Sequence, residues 1–187
     1  MSRLFLGSVL TAALVAGVAI AADSEPIGLK QGDPIGAFYV TKVAGAEEDG
    51  VKTGQELCYR CKYGQRPMVM VFARKNSDKL SQLVSDLDKA VAKHDDAQLR
   101  AFVTVVGEDQ SKLKDSAKEI AKAAEAKQVP VAVAADSQNG PASYRLDPKA
   151  EVTVILANES QVVASHSFQA DGVDSSAVLK EVEKMLQ

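Results

Sequence analysis

Residues Glu56–Ala73 read ELCYRCKYGQRPMVMVFA. The last six, Met68–Ala73, form a continuous apolar run of strand length. An amphipathic strand alternates, whereas a strand covered on both faces, as in a parallel sheet, does not. The preceding dozen residues hold both cysteines of the chain, Cys58 and Cys61, with Arg60, Lys62 and Arg66 around them. The fold question and the chemistry question therefore meet in one stretch.

After that run, Asn76 or Ser77 is placed to cap a helix. Leu80, Leu83, Val84, Leu87 and Val91 follow at spacings of three and four and give one apolar stripe to about Lys93. A second buried strand spans 99–107. A second helix is expected from a Ser111 cap, with Leu113, Ala117, Ile120 and Ala121 inward. Residues 129–135, VPVAVAA, make a third strand. The order then changes. Residues 151–157 and 161–168 are strands separated by Asn158-Glu159-Ser160, a connection short enough only for an antiparallel hairpin. Asp174 caps a last helix. Upstream, residues 35–43 alternate and read as a further strand, followed by a glycine-rich loop over 44–55.

The N-terminus bears on compartment. Arg3 precedes a charge-free apolar stretch from Leu4 to Ile20, and Ala19-Ile20-Ala21 has the small-x-small form of a cleavage site. The expected organisation is a signal peptide over 1–21, a flexible arm over 22–35 and one domain over 36–187. An exported chain, periplasmic or secreted, is the expectation. Removing Arg3 takes the formal charge from -3 to -4. A mildly acidic chain without a basic tract lacks the electrostatic footprint of a nucleic-acid binder. No membrane partner is expected after signal cleavage, and no cofactor is implied.

This element order, with an exported CxxC, resembles the thioredoxin-like superfamily. The N-terminal strand and long middle loop are most similar to its peroxiredoxin and redoxin branch. The resemblance covers about residues 36–187. It implies an α/β fold with a mixed central sheet, helices on both faces and an N-terminal β extension. It also implies a partner class, protein thiols or disulfides. In thioredoxins the CxxC follows the first core strand, and in peroxiredoxins the peroxide-reacting cysteine takes nearly the same place. Here that place is Arg74-Lys75-Asn76-Ser77-Asp78, which has no thiol, so peroxidase activity is not expected. The CxxC instead precedes strand 68–73. A strand's two ends lie roughly 17–20 Å apart, so Cys58 and Cys61 are expected toward the opposite rim unless the loop folds back.

Three readings of the cysteine stretch stand. As a redox dithiol, Cys58 and Cys61 exchange with partner disulfides, and Arg60, Lys62 and Arg66 favour the thiolate. The first cysteine of such motifs is usually the attacking one, which gives Cys58. Tyr59 and Tyr63 then shield the pair or form a docking surface. As a staple, the pair closes so short a ring that it contributes less than a longer loop would. As half of a metal site, the cysteines need His94 and His166 for zinc, or Met68 and Met70 for Cu(I). His94 reads as a surface residue, the methionines as core, and the basic neighbours disfavour a cation. The acidic runs Glu47-Glu48-Asp49 and Asp95-Asp96 read as solvated loops. The redox dithiol is the leading reading.

Overall fold

The computed structural model describes residues 27–135 and 138–187. The expected signal peptide and residues 22–26 of the expected arm fall outside these; the rest of that arm is not free, since Leu29 and Ile35 are buried and Gly28 and Gly32 donate to Arg145 O and Val162 O. A seven-stranded mixed sheet carries strands β1 (Val40–Ala44), β2 (Glu56–Leu57), β3 (Met68–Ala73), β4 (Arg100–Val105), β5 (Val131–Ala134), β6 (Val152–Asn158) and β7 (Gln161–Phe168). Their spatial order is β2-β1-β5-β4-β3-β6-β7. β3, β4 and β5 are mutually parallel, and β1, β2, β6 and β7 complete the sheet through antiparallel pairs. This is the thioredoxin-like arrangement with an N-terminal β extension.

All six residues of β3 are buried. The strand sits between β4 and β6 and has a core on each side. That is why its sequence does not alternate. Val69, Val71 and Ala73 face one core; Met68, Met70 and Phe72 face the other.

Helices α2 (Asp78–Lys93), α3 (Gln110–Ala123) and α4 (Ser175–Met185) all contribute to the first core. The strand sequence β3, β4, β5 steps across the sheet in one direction. Right-handed crossovers in one direction put their helices on one face, so α2 and α3 share a side. The opposite face is covered by α1 (Tyr59–Tyr63), by Leu29, Ile35 and Phe38 of the N-terminal segment, and by Tyr144 in a single 3-10 turn. Phe38, Phe72 and Tyr144 meet there with ring centroids 5.1–5.5 Å apart.

Local details refine several expectations. Ser77 caps α2, its Oγ accepting the Leu80 N–H. Asp109, two residues ahead of the expected Ser111, caps α3 and accepts from Ser111 N and Lys112 N. A carboxylate satisfies two orphan amides where a hydroxyl usually takes one. The hairpin turn uses Glu159 and Ser160, both at positive φ, the backbone form that matches strand twist in two-residue turns. The short strand β2 and the short helix α1 leave no periodic signal in the sequence, because two residues and one and a half turns are below the length at which periodicity registers. No helix among the described residues is long and apolar enough to cross a membrane.

Asp88 on α2 binds the turn entering β5. One oxygen, Oδ1, accepts the amides of Lys127, Gln128 and Val129 at 2.8, 2.6 and 2.9 Å. Three donors lose their partner together in Asp88→Ala. The substitution is expected to cost about 2–3 kcal/mol, since charged-acceptor hydrogen bonds contribute more than neutral ones. Urea unfolding with an unchanged m-value checks this, and a loss below about 0.5 kcal/mol contradicts it.

Candidate functional site: the Cys58–Cys61 disulfide

Cys58 and Cys61 are joined in a disulfide, with Cα atoms 5.2 Å apart. Cys58 is the N-cap residue of α1, and the Cys61 N–H donates to Cys58 Sγ at 3.1 Å. The two cysteines differ in exposure. Cys58 is buried at 7% exposure, whereas Cys61 is exposed. Gly64 closes the helix at φ 66°, its N–H bonded to Arg60 O at 3.0 Å. A side chain is disfavoured in that region.

The position of the pair differs from the expectation that it lies at the opposite rim. Leu57 pairs with Val40, and Val40 pairs with Ala134. Ala134 is the last residue of β5, so Cys58 leaves β2 at the level of the carboxyl ends of the parallel strands. The loop does fold back. Helix α1 then runs over the sheet face, and residues 64–67 return the chain to the start of β3. Tyr59 and Tyr63 pack on Phe102 of β4, with centroids 5.6 and 6.0 Å away. The level is thus the usual one for such folds, but the edge is not. β2 lies four strands from β3, about 19 Å at ordinary strand spacing.

A buried polar chain fixes α1. Lys42, at 2% exposure, extends from β1 and donates to Ala46 O at 2.7 Å, Asp49 Oδ1 at 2.7 Å and Val51 O at 2.9 Å. All three ammonium donors are used. Asp49 Oδ1 also accepts the Val51 N–H, and Asp49 Oδ2 accepts the Tyr59 hydroxyl at 2.8 Å. Burial, and then the Asp49 contact, push the Tyr59 phenol far above its ordinary value, so it stays a donor. The reading of Glu47-Glu48-Asp49 as a solvated run is therefore corrected for Asp49, whose side chain is 11% exposed. A lysine four residues after Phe38 in a strand pattern, with an aspartate seven further on, was the available signal. It carries no local periodicity.

The tyrosines are core residues, at 1% and 6% exposure, and do not form a docking surface. Burial also raises the Tyr63 phenol, with Asp49 adding to it and Arg100 and Arg66 opposing. The exposed aromatic at this edge is Tyr39, 60% exposed. It lies one residue beyond the last β1–β2 pair, as Cys58 does on the other strand.

The basic residues separate. Arg60 is half-buried, its Nε unpartnered, and its charge opposes the burial that raises the Tyr144 phenol. Lys62 and Arg66 instead line a cleft of about 500 Å³ with Asp49, Asp95 and Arg100. Arg100 begins β4, so this cleft opens at the amino ends of the parallel strands. Arg66 Nε donates to Gln98 Oε1 at 3.3 Å.

The place normally held by a reactive cysteine is otherwise engaged. Arg74 donates to Gln138 O and Asn139 O, both at 3.1 Å. Desolvation lowers its guanidinium below the ordinary value, with Asp147 opposing. Ser77 Oγ, besides capping α2, donates to Ala170 O at 2.7 Å. Lys75 pairs with Glu151 at 3.3 Å. His94 is less exposed than its sequence context implies, at 17%, and bonds Glu183 at 3.1 Å. His166 stacks on Phe168 in β7, with Nε2 buried and unpaired. Met68 and Met70 are fully buried core residues. The structure thus brings neither histidine to the cysteines, and no three His, Cys, Asp or Glu side chains among the described residues gather as metal ligands.

No family model and no curated protein matches the sequence. Solved structures do match the fold. The thioredoxin domain of a thiol-disulfide oxidoreductase from Bacteroides vulgatus aligns over 85% of this chain and 99% of its own, at TM-score 0.61 and 14% identity. AhpC from Mycobacterium tuberculosis aligns over 87% and 100%, at TM-score 0.61 and 12% identity. A yeast mitochondrial 1-Cys peroxiredoxin aligns over 84% and 76%, at TM-score 0.58 and 12% identity. The fold is thioredoxin-like, shared with redoxins of both kinds, and it carries a CxxC pair.

The Lys42–Asp49–Tyr59 chain yields a graded prediction. Lys42→Met strands the Asp49 carboxylate in the interior and is expected to cost about 3–5 kcal/mol. Tyr59→Phe removes one hydrogen bond to a charged acceptor and is expected to cost about 1.5–3 kcal/mol. Denaturant unfolding of the two variants checks the order. A Lys42→Met protein as stable as wild type contradicts this account of the network.

Proposed function

We propose that this chain is an exported thiol–disulfide exchange protein acting through Cys58 and Cys61. One observation carries the reading: the two cysteines form a short-range disulfide with one exposed partner, at the start of a helix whose N-cap residue, Cys58, lies at the carboxyl-end level of a thioredoxin-like sheet. Proteins of this fold described as thiol-disulfide oxidoreductases support it by analogy. Partner proteins bearing thiols or disulfides are the substrate class. The N-terminal pattern of Arg3, an apolar stretch and Ala19-Ile20-Ala21 supports export, which places the pair where disulfides persist.

Thiolate stabilisation on this reading comes mainly from the Cys61 N–H on Cys58 Sγ. Lys62 and Arg66, turned into the amino-end cleft, contribute less than their sequence proximity implies. Peroxide reduction is not part of the proposal, because Arg74-Lys75-Asn76-Ser77 offers no thiol at the peroxidatic place.

A second reading, a binding module stapled by this disulfide, is favoured by the occupied state of that same place, where Arg74 and Ser77 are bonded to neighbouring carbonyls. Insulin reduction by dithiothreitol separates the two. The mature protein is expected to accelerate precipitation of the insulin B chain, and Cys58→Ser/Cys61→Ser to abolish the acceleration. Equal rates with wild type, variant and buffer, alongside a lower melting temperature in the variant, contradict exchange and favour the staple.

A further inference from the structure

The proposed exchange leaves open which sulfur meets the partner, and the burial of the pair decides it. The usual order in CxxC motifs gives the first cysteine. In this chain the first cysteine is the covered one. Cys58 is 7% exposed. It lies between Leu57, held in the β1–β2 ladder, and Tyr59, stacked on Phe102 and bonded to Asp49. Cys61 is exposed on the open side of α1, followed by exposed Lys62. An attacking thiolate must approach one sulfur in line with the S–S bond, and rate depends on which sulfur is accessible.

We infer that Cys61, not Cys58, forms the mixed disulfide with the partner, and that Cys58 is the buried leaving and resolving thiolate. The inference rests on the exchange reading above. In the reductive direction for this chain, a partner thiol loses its proton and its thiolate attacks Cys61 Sγ. A partner–Cys61 S–S bond forms as the Cys58–Cys61 bond breaks. The electron pair goes to Cys58 Sγ, which already accepts the Cys61 N–H at 3.1 Å. A hydrogen bond to the charged form favours it, so Cys58 is a good leaving group. The partner's second thiolate then attacks the partner sulfur of the mixed disulfide and releases Cys61 as thiolate. The partner dithiol is oxidised by two electrons, the protein pair is reduced, and two protons pass from partner thiols to the two cysteines. In the opposite direction, Cys61 thiolate attacks a partner disulfide and Cys58 resolves it.

The test compares Cys58→Ser and Cys61→Ser as single-thiol proteins reacting with glutathione disulfide under pseudo-first-order conditions, read by mass spectrometry. Cys58→Ser, which keeps Cys61, is expected to form its adduct at least about tenfold faster, because access sets the difference. Equal rates, or a faster Cys61→Ser protein, overturn the assignment. A second measurement avoids variants. Oxidised wild-type protein is treated briefly with glutathione, quenched in acid, alkylated and digested with trypsin. Arg60 lies between the two cysteines, so cleavage after it separates them. Glutathione on Cys61 with alkylated Cys58 supports the assignment, and the reverse pattern overturns it. Both readouts concern small thiols only. A protein inactive toward insulin but reactive at Cys61 refutes exchange with proteins while sustaining this order.

Discussion

The Lys42 ammonium is the constraint around which the cysteine site is arranged. A lysine enclosed to 2% exposure on a strand is stable only with every donor matched. Ala46 O, Asp49 Oδ1 and Val51 O supply the three partners, so the glycine-rich loop has to curl over β1 to deliver them. Asp49, fixed by that curl, has one oxygen left, and the Tyr59 hydroxyl takes it. Tyr59 follows Cys58 directly. The pairing of one buried charge thus ties Tyr59, and with it the start of α1, to β1. A buried ion pair is weak evidence for net stability; its use here is positional.

The aromatic layer works with this chain. Tyr59 and Tyr63 lie on Phe102, and Phe38, Phe72 and Tyr144 form a neighbouring group on the same sheet face. Rings in tilted and stacked contact add a modest amount beyond area burial. They also leave α1 little freedom to shift. Helix α1 is five residues long, and five residues are not a stable helix alone. Tertiary contacts hold the segment that a longer helix would hold by its own hydrogen bonds.

The fold was legible where one physical signal ran along an element, or where a connection was too short for more than one pairing. Met68–Ala73 announced a strand covered on both faces, Leu80–Val91 a helix with one apolar stripe, and the Asn158–Ser160 gap an antiparallel hairpin. The site was legible in composition but not in place. The spacing of Cys58 and Cys61 suggested a pair, yet their level on the sheet depended on β2, two residues long and specified by pairing rather than pattern. Lys42 and Asp49 escaped because burial of a charge is a tertiary fact. Lys62 and Arg66 are near the cysteines in sequence, and in the fold both line the cleft at the amino ends of the strands.

The central claim is that the Cys58–Cys61 bond is exchangeable rather than structural. The most direct measurement is its midpoint potential, by equilibrating the mature protein in glutathione or dithiothreitol redox buffers and trapping free thiols by alkylation. The account predicts a midpoint above about -230 mV, in the range of exchange proteins. A value below about -300 mV, the range of structural disulfides, contradicts it.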